Sequence, residues 1–130
     1  MVSPPPRLYD GFLPGLHAIQ GFGQFGFRFA DMSHRGSILV LPSGITGWTV
    51  LEPFQHHEQQ YDAIFAAAAQ IDIVLIGAGT VPLPLPASLR WRFRDHGISA
   101  DVMTTASACS TYNVLLGEGR RVAAALLAVA

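Results

Sequence analysis

The stretch TASACSTYNVLLGEGRR, residues 105–121, holds the one thiol of the chain, Cys109. A nucleophilic cysteine needs a base beside it and an oxyanion hole. No histidine lies close to Cys109 in sequence, and His96 is the nearest upstream. The segment follows a predicted strand and lies near the start of a predicted helix, where the helix dipole lowers a thiol pKa. The plainer reading, a small buried hydrophobe, is preferred. Thr111, Tyr112 and Asn113 follow as polar groups in apolar surroundings. Ser107, Ser110 and Thr111 are all suitable helix N-caps. Glu118 and Arg121 are spaced to pair across one helical turn.

A second candidate is IGAGT, residues 76–80. Gly77 and Gly79 follow an apolar strand, as in a dinucleotide-binding turn. The third glycine of that fingerprint would fall where Pro82 stands, and Pro84 and Pro86 follow. No helix N-terminus can form there to receive a phosphate, so the plainer reading is a tight strand exit with positive φ. In HHEQQY, residues 56–61, a zinc-protease helix would need a second histidine where Tyr61 stands. His17, His34 and His96 show no ligand spacing, and no metal or other cofactor is expected. Arg90 and Arg94 share one side of a predicted helix while Arg92 points elsewhere. With Trp91 they form either a solvated face or a contact surface, since Arg and aromatics are both enriched at interfaces.

The elements that must position these groups read as follows. Residues 1–10 are a Pro-rich tail, and residues 11–130 form one α/β domain. Phe25, Phe27 and Phe29 alternate with Gly26 and Arg28 as in a half-buried strand. SILVL (37–41) is a strand, Pro42 to Gly44 a turn, and ITGWTV a further extended piece. In EQQYDAIFAAAAQ, Tyr61, Ile64, Phe65 and Ala68 lie on one face of a predicted amphipathic helix. IDIVLI (71–76) suits a strand buried on both faces. LRWRFRDHG alternates like a strand, but Pro86 can open a helix and Gly97 close one, so we assign helix. ISADVM is then a strand. The final segment reads as a buried helix with Val122, Leu126 and Val129 on one face. The second half is thus a set of βαβ units with a parallel core, beside an antiparallel first half.

Composition narrows the function. The chain has 130 residues, 50% hydrophobic and 13% charged, with a formal net charge of −1. There is no broad basic field for a nucleic acid. All eight basic residues are Arg, so every lysine-dependent chemistry is excluded. The longest apolar run, residues 122–130, is too short to span a bilayer. The N-terminus lacks the pattern of a signal peptide, and a lone cysteine fits a reducing compartment. A soluble cytoplasmic protein is expected.

IDIVLIGAGT, LRWRFRDHGISADVM, CSTYNVLLGEGRRVAAAL and the upstream Trp48 together resemble one family. It is a small α/β family of largely uncharacterised bacterial and archaeal proteins. It includes the mitochondrial NADH dehydrogenase (complex I) 1 alpha subcomplex assembly factor 3. The resemblance covers roughly residues 10–128. Two positions depart from the family pattern: Thr104 stands where an Asp is expected and Ser110 where an Arg is expected. The resemblance implies a three-layer α/β fold around a mixed central sheet, with helices packed on it and an N-terminal antiparallel β-hairpin. It implies no established enzyme activity, and it points to membrane-complex biogenesis through protein contacts.

The leading expectation is therefore a non-enzymatic assembly protein with protein partners, membrane-complex subunits among them, that contacts them through Arg90, Trp91 and Arg94. The rival is a small-molecule or anion-binding protein, an enzyme in one version. Its pocket would take in Gly77, Gly79, Thr104, Cys109, Thr111, Tyr112 and Asn113, at the C-terminal ends of predicted parallel strands. A third reading is homo-oligomerisation through the N-terminal strands.

Overall fold

The computed structural model describes residues 11–50 and 55–130. The Pro-rich segment 1–10 lies outside the described residues. Among the described residues, nine strands form two sheets. The larger has the order β1-β6-β5-β9-β7-β8, comprising β1 (Phe12–Pro14), β5 (Ser37–Leu41), β6 (Gly44–Trp48), β7 (Ile73–Gly77), β8 (Ser99–Met103) and β9 (Val122–Leu126). β7 runs parallel to β8 and β9, whereas β5 is antiparallel to β6 and β9. The smaller sheet is the antiparallel meander β2 (Ile19–Gly23), β3 (Gly26–Phe29) and β4 (Met32–Arg35).

Side-chain alternation along the central strands divides the core in two. Leu39, Leu41, Val74, Ile76, Ala123 and Ala125 face one side. There they meet Tyr61, Ile64 and Phe65 around α1 (Asp62–Ala66), and Leu89 and Phe93 of α2 (Ala87–Asp95). Ile38, Val40, Leu75, Ala124 and Leu126 face the other side. They pack on Ala108, Cys109 and Tyr112 of α3 (Thr105–Gly117) and on Phe27 and Phe29 of the small sheet. The result is three layers, with the mixed sheet in the middle and the meander beside α3.

The strands at 37–41 and 44–48, the helix at 87–95 and the strand at 99–103 form as expected. The C-terminal segment does not. Residues 122–126 form β9, a strand, and not a helix. Every residue of β9 is buried, and it bonds to β5 on one side and β7 on the other. A run that is apolar at every position carries no period, so helix and doubly buried strand look alike in sequence. The stretch 58–70 is also not one helix. It breaks into a 3₁₀ turn (Glu58–Tyr61), the short α1 and a second 3₁₀ turn (Ala68–Gln70). Its buried face is still Tyr61, Ile64 and Phe65, with Ala68 half-buried. The tightened end brings Ile71 into the core directly before β7. Phe25 leaves the alternation as well: it sits in the β2–β3 turn at φ +59°, more than half exposed, while Phe27 and Phe29 are buried.

Candidate functional site

α3 is anchored at its start by Thr104, whose hydroxyl accepts the Ser107 N–H at 3.2 Å. Thr104 is the N-cap, in place of Ser107, Ser110 or Thr111. The next residue, Thr105, is fully buried. Its hydroxyl accepts the Gly79 N–H at 3.1 Å and donates to the Leu127 carbonyl at 2.7 Å. Its own N–H donates to the Gly79 carbonyl at 2.9 Å. Gly79 holds φ +89°, which a residue without Cβ adopts freely. A Cβ on Gly77 would lie 3.0 Å from the Thr105 Cα and 3.1 Å from the Ala108 Cβ. The two glycines therefore let α3 press against the end of β7.

Cys109 lies past the first turn of α3 and is buried. Burial pushes its thiol up to about 12, so the neutral form prevails and the dipole effect is outweighed. Tyr112 is fully buried too, and burial lifts its hydroxyl to about 12. That hydroxyl donates to the His17 carbonyl at 3.3 Å. Asn113 makes a two-point contact with Ile19: its Oδ1 accepts the Ile19 N–H at 2.8 Å, and its Nδ2 donates to the Ile19 carbonyl at 2.7 Å. Thr111 is half-buried on the same helix. The chain thus brings Gly77, Gly79 and Thr104 together at one end of α3. Tyr112 and Asn113 face the meander, and Cys109 lies in the core between them.

Arg90, Trp91 and Arg94 lie on the outer side of α2. Trp91 is 59% exposed, and the Arg94 guanidinium sits 5.0 Å from its ring centroid. Arg92 turns inward over the Phe65 ring at 4.1 Å and reaches Glu58 at 3.6 Å. Beneath α2, Phe93 packs on Phe65 at 4.6 Å and edge-on to Tyr61 at 5.6 Å. The outward pair therefore stands on a rigid aromatic base. Below Arg90 and Arg94 runs a groove of about 640 Å³, lined also by Leu85, Ala100, Asp101 and Val102. The sequence reading missed this groove, because nothing in a single sequence tells which strand lies at a sheet edge. A second cleft, of about 510 Å³, lies over the meander and is lined by Phe22, Arg28, His34 and Arg35 among others.

Arg121 pairs with Asp72, not with Glu118. Its Nη2 meets Oδ1 at 2.6 Å and its Nε meets Oδ2 at 3.1 Å. α3 ends at Gly117, so the helical spacing from Glu118 to Arg121 does not exist. The Arg121 hydrogen bond holds the Asp72 carboxyl below its ordinary range. His56 bridges the Tyr61 hydroxyl at 2.8 Å and the Leu83 carbonyl at 3.0 Å, and burial lowers its pKa. Among the described residues, no three His, Cys, Asp or Glu side chains gather as a metal site, and no helix is long and apolar enough to cross a membrane.

The three-layer sheet with its flanking meander defines a class of small α/β proteins. Residues 19–127 match the family described as a protein of unknown function (DUF498/DUF598), and the chain belongs to it. It is 40% identical over 126 residues to an uncharacterised protein of Rhodobacter capsulatus, covering 97% of this chain and 93% of that one. It is 28% identical to the mouse NADH dehydrogenase [ubiquinone] 1 alpha subcomplex assembly factor 3, over 92% of this chain. The chain spans 65% of that factor's length. A crystal structure described as an outer membrane protein from Bartonella henselae superposes with a TM-score of 0.86 at 45% identity. It covers 90% of this chain and 98% of the other.

Proposed function

We propose that the chain is a non-enzymatic accessory protein that acts from the cytoplasm in building a membrane-bound respiratory complex. It works through protein contacts, and α2 presents the contact face. The observation that carries this reading is Trp91, 59% exposed on a rigid helix with Arg94 beside its ring and Arg90 one position before it. An exposed Trp flanked by Arg is the composition of an interface anchor. The relation to a mitochondrial factor named for complex I assembly supports the kind of partner.

A ligand pocket between Gly77, Gly79 and the Cys109–Asn113 region has less support. The Gly79 amide is already taken by Thr105, and the thiol is held neutral. The test is a crosslinked pull-down of the tagged protein from detergent extracts of its own cells, with a Trp91→Ala/Arg94→Ala variant beside it. Respiratory subunits should be recovered with the native protein and lost with the variant. Recovery of the chain alone, or of the same subunits with both proteins, would overturn the reading.

A further inference from the structure

The order of the large sheet leaves β8 at one edge. The Ser99 N–H donates to the Asp72 carbonyl, and the Met103 carbonyl accepts the Ala78 N–H, each at 2.9 Å. In a parallel ladder alternate residues bond to the same neighbour, so Ser99, Asp101 and Met103 face β7. The backbone N–H and C=O groups of Ala100 and Val102 therefore point away from the sheet, into the 640 Å³ groove.

An open edge is usually guarded. The opposite edge, β1, is: it has three residues and ends in Pro14. β8 has five residues in unbroken register with β7, no proline and no bulge. Its one charge is Asp101. The side chains of Ala100 and Val102 pack toward the α2 layer, so that of Asp101 projects to the opposite face.

We propose that β8 receives an extended segment of a partner protein as an added strand, and that this segment carries acidic side chains at alternate positions on its α2-facing side. Arg90 and Arg94 line the groove on that side, and the Asp72 carboxylate that also lines it is neutralised by Arg121. Neither Arg90 nor Arg94 has a carboxylate partner among the described residues, where the ion pairs are Arg92–Glu58 and Arg121–Asp72. Four helical residues rise about 6 Å. Two strand residues rise about 6.6 Å. The arginines therefore match carboxylates two positions apart on a strand.

A second copy of this chain fits poorly in the centred register and brings no carboxylate pair to Arg90 and Arg94, since β8 carries Asp101 alone. Pairing Ala100 with Val102 across a two-fold axis sets Asp101 opposite Asp101, and like charges directly opposite are destabilising. The proposal rests on the assembly reading and names the mode of contact.

The experiment selects short random peptides displayed on phage against the full chain, then follows amide exchange with the selected peptide. The expected consensus has Asp or Glu at two positions separated by one residue. Exchange at the Ala100 and Val102 amides should slow at least about tenfold, while Asp101, already bonded to β7, stays unchanged. Ala100→Pro should abolish selection, since its N–H faces the groove and serves no internal bond. Arg90→Glu with Arg94→Glu, a surface change that leaves the fold intact, should invert the preference to Lys and Arg. Several results would overturn the proposal: no consensus, a consensus without alternating charge, protection elsewhere, or a dimer that Ala100→Pro dissociates. If the pull-down depends on Trp91 while no strand consensus emerges, only the edge proposal falls. If a strand is selected but no respiratory subunit is recovered, the assembly reading falls instead.

Discussion

Thr105 ties three segments with one hydroxyl. Its partners, Gly79 and Leu127, lie 26 and 22 residues away in sequence. Thr105→Val keeps the shape and removes both bonds, leaving a buried donor and a buried acceptor unmet. Urea denaturation should show a loss of about 1–3 kcal/mol, with an unchanged slope. The sequence offers several hydroxyls in this region, and Ser107, Ser110 and Thr111 read as helix caps. Only the tertiary contacts single out Thr105, so local spacing could not have found it. The thiol nearby behaves as the plainer sequence reading supposes. With Cys109 held up at about 12, native-state alkylation by iodoacetamide should run at least about a hundredfold slower than that of free cysteine. Alkylation at the free rate would show a thiolate that the fold does not permit.

At the scale of elements, what was legible depended on local markers: β-branched residues, prolines and glycines. α2 alternates like a strand in sequence, and Pro86 and Gly97 decide for the helix, which buries Leu89 and Phe93. β5 and the turn after it are marked by β-branched residues and by Pro42 and Gly44. β9 has no wet face and three successive alanines, so it suits a helix in sequence as well as a buried strand. The short α1 was over-extended because its alanines suit a helix whether or not one forms. Asn113 shows the same limit for a contact: its amide acts as a strand fragment that bonds Ile19 at both backbone groups. Asn113→Leu should release the edge of β2 from α3. Hydrogen exchange at the Ile19 amide should accelerate at least about tenfold while β7 amides hold their protection. Equal acceleration in both would mean global unfolding, not a local clasp.

Across the whole molecule, two half-buried histidines contribute to the response to acid. Burial lowers the pKa of His34 and His56 below the ordinary 6.5. The unfolded chain takes up those protons as pH falls through 6.5 and the folded chain does not, so stability is held above 6.5 and declines below it. Asp72 acts in the same direction at lower pH. Its folded carboxyl lies below the ordinary 3.8, so its pairing with Arg121 stabilises above that value and is lost as pH falls through the folded one. Thermal unfolding followed across pH should show Tm level above 6.5 and falling below it. His56→Gln should flatten part of the decline, and a Tm that rises on acidification through 6.5 would contradict the assignment. The sheet order carries one more consequence. Among the described residues β9 follows every other strand, yet it lies between β5 and β7 and pairs with both. A nascent chain that has not yet delivered residues 122–126 lacks the strand that pairs with both half-sheets, and holds them through side-chain packing and the Asn113–Ile19 contact. The large sheet can therefore close only once residues 122–126 are available to pair with both halves.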